Sequence, residues 1–385
     1  MKQLFQTLGS ILEISQGSNN RLRSIEGIRG VAVFLVFLVH YSSEVSPYVS
    51  SFVQPALQFV STFGTIGVDL FFVLSGFLIY GSIMSGDSFS YKSFAKRRIQ
   101  RIYPAFITVL AIYIFLSFIF VSYSKLPQDP SALAIYILQN LLLLPGIFPV
   151  EPIITVAWSL SYEVFYYLLI PPVIFCMKLT RWNVNTRIVF WGVISVLYIY
   201  LASHPLWTNH VDQKIHLVMF IAGILLYELY SVKKITLQYG GTRFLFIALA
   251  VFGVRSFHYH DFRISIGLIF LLFLLVCLCA FDQRSRAYKW LTFTPLRWLG
   301  NMSYSYYLIH ALALKFCFLL YAKYVSASYI SSSVYFWLWI PCFAATLIAS
   351  FVLFYTVERP FSLNTKTPLT PKSSNLPQTQ KSLSQ

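Results

Sequence analysis

Apolar residues run along this chain in long blocks, without the alternation of half-buried strands or the one-sided stripe of soluble helices. Blocks of membrane-crossing length fall at about 29–46, 60–81, 102–123, 154–177, 188–203, 214–231, 243–257, 263–281, 302–322 and 333–356. A hydrocarbon core of about 30 Å takes about 20 residues of helix to cross. The pattern predicts an all-α fold: a polytopic membrane helical bundle of about ten transmembrane helices. An eleventh block, "SALAIYILQNLLLLPGIF" at 131–148, is short and ends at Pro145 and Gly146, with Pro149 and Pro152 just beyond. It reads as a re-entrant or interfacial segment, which is permitted where protein or water covers its broken backbone.

Charge decides how that eleventh block is read. If it crosses, the basic loop 178–187, with Lys178, Arg181 and Arg187, falls outside and every later loop inverts. If it does not cross, 23 of the Lys and Arg residues fall on one side and 5 on the other, with Lys315 inside a span. Basic loops stay in the cytoplasm, so the uneven split selects ten spans with both termini cytoplasmic. Residues 1–20 form a cytoplasmic N-terminal segment without the apolar core of a removable signal peptide. Residues 21–361 form one transmembrane domain. Residues 362–385, rich in Ser, Thr, Pro and Gln, read as a disordered cytoplasmic tail.

Composition supports the same picture. The chain is 57% hydrophobic and 11% charged, whereas a soluble domain is about 25% charged. A net charge of +16 would suggest nucleic acid as a partner for a soluble protein. Here topology and anionic lipid headgroups account for it, and no nucleic-acid partner is expected. The five cysteines lie in apolar segments and form no CxxC pair. They read as small buried hydrophobes, with no metal site.

Ionisable side chains at membrane depth are costly and mark functional candidates. His40 follows Arg29 by eleven residues in "RGVAVFLVFLVH", which places it roughly 16 Å deeper along a helix, near mid-membrane. It reads either as a packed neutral histidine or as a base or proton relay. Glu163, in "AWSLSYEVFYYLLIPP" beside Trp158 and Ser159, can share a layer with His40 and stabilise its charged form. Asp69 lies in "GVDLFFVLSGFLIYG", which also carries Ser75. Arg97, Arg98 and Arg101 in "KRRIQRIYP" bring guanidinium forks suited to phosphate, although lipid headgroups would also use them. Ser303, Tyr304 and His310 lie in "LGNMSYSYYLIH", where helix packing and an interfacial aromatic belt account for most positions. His40, Asp69 and Glu163 together also fit the relay of a proton-coupled transporter.

Six stretches occur in order: "RSIEGIRGVAVFLVFLVH", "GVDLFFVLSGFLI", "FAKRRIQRIYP", "WSLSYEVFYY", "LGNMSYSYYLIH" and "VERPF". As an ordered set over about 21–361 they resemble the acyltransferase family 3 membrane proteins, which include bacterial O-acetyltransferases of surface polysaccharides. The resemblance implies an O-acyltransferase, with acetyl-CoA as a cytoplasmic donor and a hydroxyl of a glycan or lipid-linked saccharide as acceptor. It implies a multi-pass protein of the bacterial cytoplasmic membrane. It implies that Arg29 and His40, the family's R-x10-H, are essential, and that Arg97, Arg98 and Arg101 receive the CoA phosphates. Many relatives carry an appended extracytoplasmic hydrolase-like domain, which is not expected here.

Overall fold

The computed structural model describes residues 2–14, 20–86, 89–202, 211–232, 270, 277–278, 280–283, 285–324 and 332–363. The regular elements among them are helices. In chain order they are α1 (Lys2–Leu12), α2 (Asn20–Val45), α3 (Gln54–Gly64), α4 (Ile66–Met84), α5 (Tyr91–Ile119), α6 (Pro130–Leu141), α7 (Ala157–Cys176), α8 (Val184–Ala202), α9 (Val211–Ser231), α10 (Arg286–Leu291), α11 (Thr294–Asn301), α12 (Ser303–Tyr324) and α13 (Ser332–Leu353). After Leu353 the chain continues in wide π-type turns over Phe354–Leu363.

Seven helices among the described residues are long and apolar enough to cross a membrane, and Leu217–Ser231 adds a shorter apolar one. The expected spans at 243–257 and most of 263–281 lie outside the described residues, as does the tail beyond Leu363. Two boundaries differ from expectation. Helix α2 begins at Asn20 rather than near Arg29, so Arg29 lies in a helix interior. The run read as 60–81 is a pair, α3 and α4, meeting at Thr65, whose hydroxyl donates to the Thr62 carbonyl at 2.7 Å.

Helix α6 covers only part of the 131–148 block. Asp129 caps it by accepting from the Ala132 amide at 2.8 Å, and Pro130 fills the first turn, where its missing N–H costs nothing. Twelve residues make about 18 Å of helix, well short of the hydrocarbon core. The chain then turns through Leu143 and Gly146, both at positive φ. Asn140 closes the loop by accepting from the Ile153 amide at 2.8 Å.

Helix α2 runs through the middle of the bundle, against α3, α4, α11 and α12. Helices α4 and α9 pack closely, as do α8 and α9, and α12 and α13. Buried ion pairs join helices far apart in sequence. Arg187 Nε lies 2.6 Å from Glu228, which also accepts from the Tyr80 hydroxyl. Arg297 Nε lies 2.8 Å from Glu26, and its Nη2 meets Glu13. Asn301 donates to the Leu12 carbonyl at 2.8 Å, which fixes α1 against the bundle.

Candidate active site

Five helices enclose a cavity of about 160 Å³. That is room for about five waters. Helix α2 contributes Arg29, α4 contributes Ser75, and α5 contributes Arg98 and Arg101. Helix α7 contributes Ser159, Glu163 and Tyr167, four residues apart and so on one stripe. Helix α12 contributes Ser303, Tyr304 and Tyr307, while Phe71 and Phe72 add apolar wall.

The charges inside are arranged, not scattered. The Glu163 carboxylate accepts from Ser75 Oγ at 3.3 Å and from the Tyr167 hydroxyl. Arg29 lines the same cavity. The Arg98 guanidinium lies 5.1 Å from the Phe94 ring and 5.2 Å from the Tyr167 ring, two rings that meet each other edge-on, and cation–π attraction to both holds it in place. Arg101 pairs with buried Glu358 at 2.9 Å, out of hydrogen-bond alignment, and lies 5.9 Å from the Tyr304 ring. Glu358 is itself held by the Ser305 amide at 3.0 Å and hydroxyl at 2.5 Å. The Tyr304 hydroxyl donates to the Ile102 carbonyl at 2.7 Å and locks α12 to α5. Arg98 Nε and Arg101 Nη1 are buried and make no hydrogen bond among the described residues. Of the two, Arg101 Nη1 is ion-paired with Glu358, so Arg98 Nε is the guanidinium donor left over.

The remaining expected residues divide. Arg97 is exposed and does not line the cavity; an i, i+3 pair, Arg98 and Arg101, faces inward instead. His40 and His310 form a pair of their own, with ring centroids 4.9 Å apart and planes at 68°. They lie beyond Tyr307, whose ring lines the cavity and is centred 6.1 Å from that of His310. Tyr307 is fixed by Ser159 Oγ at 2.5 Å and the Val156 carbonyl at 3.2 Å, and Phe71 meets its ring edge-on at 5.9 Å. The hydrogen bonds of Glu163 thus run to Ser75 and Tyr167, and the aromatic neighbour of His40 is His310, so the structure does not join Glu163 to His40 directly.

Asp69 is buried in the first turn of α4, where the helix dipole favours a carboxylate, but it does not line the cavity. Trp158 packs edge-on against Tyr162 and over Gly146, and so serves the α6–α7 turn. With Asp69 and His40 outside the cavity that holds Glu163, the three do not form the chain of carriers a proton relay requires.

Sequence reasoning did not single out Tyr167, Tyr307 or the Arg101–Glu358 pair. Tyr167 had a usable signal, being one helical turn beyond Glu163. Glu358 stands out as a charge in the "VERPF" stretch, but nothing in the sequence pairs it with Arg101, 257 positions away.

A family model described as an acyltransferase domain matches residues 22–355. An uncharacterised protein of Haemophilus influenzae is 38% identical over 39% of this chain and 64% of its own length. The acyltransferase MdmB of Streptomyces mycarofaciens is 32% identical over 39% of this chain and 38% of its own. The peptidoglycan O-acetyltransferase OatA of Listeria monocytogenes is 24% identical over 76% of this chain and 49% of its own. The chain thus spans about half the length of the curated relatives it matches. No solved structure matches it.

Proposed function

The chain belongs to acyltransferase family 3, and on that premise we propose that it is an integral membrane O-acetyltransferase. It moves an acetyl group from cytoplasmic acetyl-CoA to a hydroxyl of a cell-surface or exported glycan. The observation that carries this reading is a cavity lined by Arg29, Arg98, Arg101 and Glu163, whose wall residue Tyr307 neighbours His310 and through it His40. The guanidinium donor left over on Arg98 suits the phosphates of CoA. Arg97, exposed next to this pair, meets the nucleotide from outside. The eleven residues from Arg29 to His40 give a separation of roughly 16 Å along α2, within reach of an extended pantetheine arm.

His40 carries the chemistry. As the acceptor hydroxyl attacks the thioester carbonyl, His40 takes its proton. The carbon–sulfur bond breaks, and His40 returns the proton to the leaving CoA thiolate. The products are an acetyl ester and free CoA. In the alternative route the bare nitrogen of His40 attacks the thioester itself and passes the acetyl group on. Trapping labelled acetyl on His40 before acceptor is added separates the two. Glu163 holds its hydrogen bonds to Ser75 and Tyr167 and balances the arginine charge around the thioester.

The test uses purified full-length protein in nanodiscs, labelled acetyl-CoA and envelope glycans from cells lacking the gene. Wild type releases CoA and transfers label to glycan. His40→Ala loses transfer by about 100-fold or more, the scale of a lost general base. Full transfer by His40→Ala would remove the assignment.

A further inference from the structure

The His40–His310 pair contains an unusual feature. His310 Nδ1 lies 2.9 Å from the Tyr306 carbonyl and 3.0 Å from the Tyr307 carbonyl. Both partners are acceptors, so Nδ1 must carry the proton. In the neutral ring Nε2 is then a bare acceptor. It is buried and has no hydrogen-bond partner among the described residues. A buried acceptor left unpaired is unfavourable, and the rest of this ring is well held. Tyr306 stacks on it with centroids 5.2 Å apart and planes at 13°, and the Tyr306 hydroxyl bonds to Thr346 at 2.9 Å. The ring is fixed in tautomer and in plane, with one lone pair unused.

The group beside it is His40. Each ring nitrogen lies roughly 1.1 Å from its centroid, so an in-line N–H···N bond of about 3 Å would separate the centroids by about 5 Å. The observed 4.9 Å matches that spacing. The rings now meet edge-on at 68°, and rotation about the soft outer torsion of a histidine side chain is the motion that would bring a nitrogen of His40 to Nε2 of His310.

We propose that His310 is the positioning residue for His40: its bare Nε2 accepts the N–H of His40. This fixes which nitrogen of His40 is protonated and turns the other, unprotonated, toward the thioester and the acceptor hydroxyl. His310 keeps its own proton throughout. When His40 becomes imidazolium, the bond to His310 becomes charge-assisted and so stronger at the moment charge develops. The pair performs with two imidazoles what a carboxylate performs for the histidine of a hydrolase triad. The carboxylate in the cavity is left to the arginines.

This inference rests on the reading of His40 as the reacting group, and the experiment separates the two. Full-length protein in nanodiscs is assayed with acetyl-CoA and envelope glycans from cells lacking the gene, for wild type, His40→Ala, His310→Leu and His310→Gln. Leu removes the acceptor, while Gln supplies a carbonyl oxygen near the position of Nε2. His310→Leu is expected to lower kcat by about 10–100-fold, the scale of losing an orienting partner. The KM for acetyl-CoA stays within about twofold, since His310 does not line the cavity. His310→Gln recovers most of that kcat. A loss shared equally by Leu and Gln, or one expressed in KM, indicates packing alone and overturns the proposal. If His310→Leu is fully active while His40→Ala is inactive, this inference fails and the proposed function stands. If His40→Ala is fully active, both fail.

Discussion

Glu163 is the one carboxylate in a cavity lined by three arginines, and its two hydrogen bonds come from neutral hydroxyls. Its charge, more than its shape, therefore matters to Arg29. Glu163→Gln keeps the shape and removes the charge. Acyl transfer is expected to fall about 10–100-fold, the scale of a lost electrostatic contact in a dry site. CoA release per enzyme measures it, and an unchanged rate would show that the arginines need no counter-charge. The arginines themselves should separate by orientation. Arg98→Ala and Arg101→Ala each weaken acetyl-CoA binding by about 10-fold, the scale of one charge-assisted hydrogen bond. Arg97→Ala, on the exposed side of α5, changes it by about twofold or less, as expected for a solvated contact. Calorimetric titration of each variant decides; equal losses at all three positions would contradict the inward-facing pair. The sequence drew attention to these residues because charge in an apolar block is conspicuous. It could not rank Arg97 below Arg98, since that depends on the rotation of α5 about its axis, which only its packing against α12 and Phe354–Leu363 sets.

At the scale of elements, α4 and α9 are in close contact. A Cβ on Gly223 would lie 2.0 Å from the Val73 carbonyl oxygen, and one on Gly76 would lie 2.1 Å from that of Phe220. Both obstacles are backbone, so neither can rotate away; the helices would have to part. This is the close approach that small residues permit between membrane helices. It holds Ser75, next to Gly76, against the cavity. Gly192 on α8 meets nothing within 4 Å and serves as a control. Gly223→Ala is expected to lower the thermal midpoint of the purified protein by about 5 °C or more, from an overpacking penalty of about 1–3 kcal/mol. Gly192→Ala leaves the midpoint unchanged or raises it slightly, since alanine is the better helix former. Melting followed by size-exclusion chromatography compares them, and equal midpoints would contradict the close packing. In the sequence "GVDLFFVLSGFLIYG" reveals that small residues are present, but not that Gly76 meets Gly223. The α3–α4 break was hidden for a related reason: Thr65 interrupts the helix locally, while the apolar run passes through it uninterrupted.

For the whole molecule, the features readable in advance were those that lipid itself enforces, namely helix length and apolarity. The pairings that assemble the bundle were not readable. Arg297 with Glu26, Arg187 with Glu228 and His40 with His310 join residues far apart along the chain, and no periodicity links them. Topology remains the large-scale consequence open to direct measurement, and α6 is its pivot. At about 18 Å it is too short to cross. The loops on either side of the α6–α7 unit should then lie on opposite faces, because α7 alone crosses between them. Gln128 and Arg181 are exposed in those two loops. With the five native cysteines replaced by alanine, Gln128→Cys should react with a membrane-impermeant maleimide in intact cells. Arg181→Cys should react only after permeabilisation, because its loop is among the basic ones that stay inside. Labelling of both in intact cells would mean that 131–148 completes a crossing after all. The basic loops would then be divided between the two faces, and the arginine-lined cavity would lose its claim to open toward cytoplasmic acetyl-CoA.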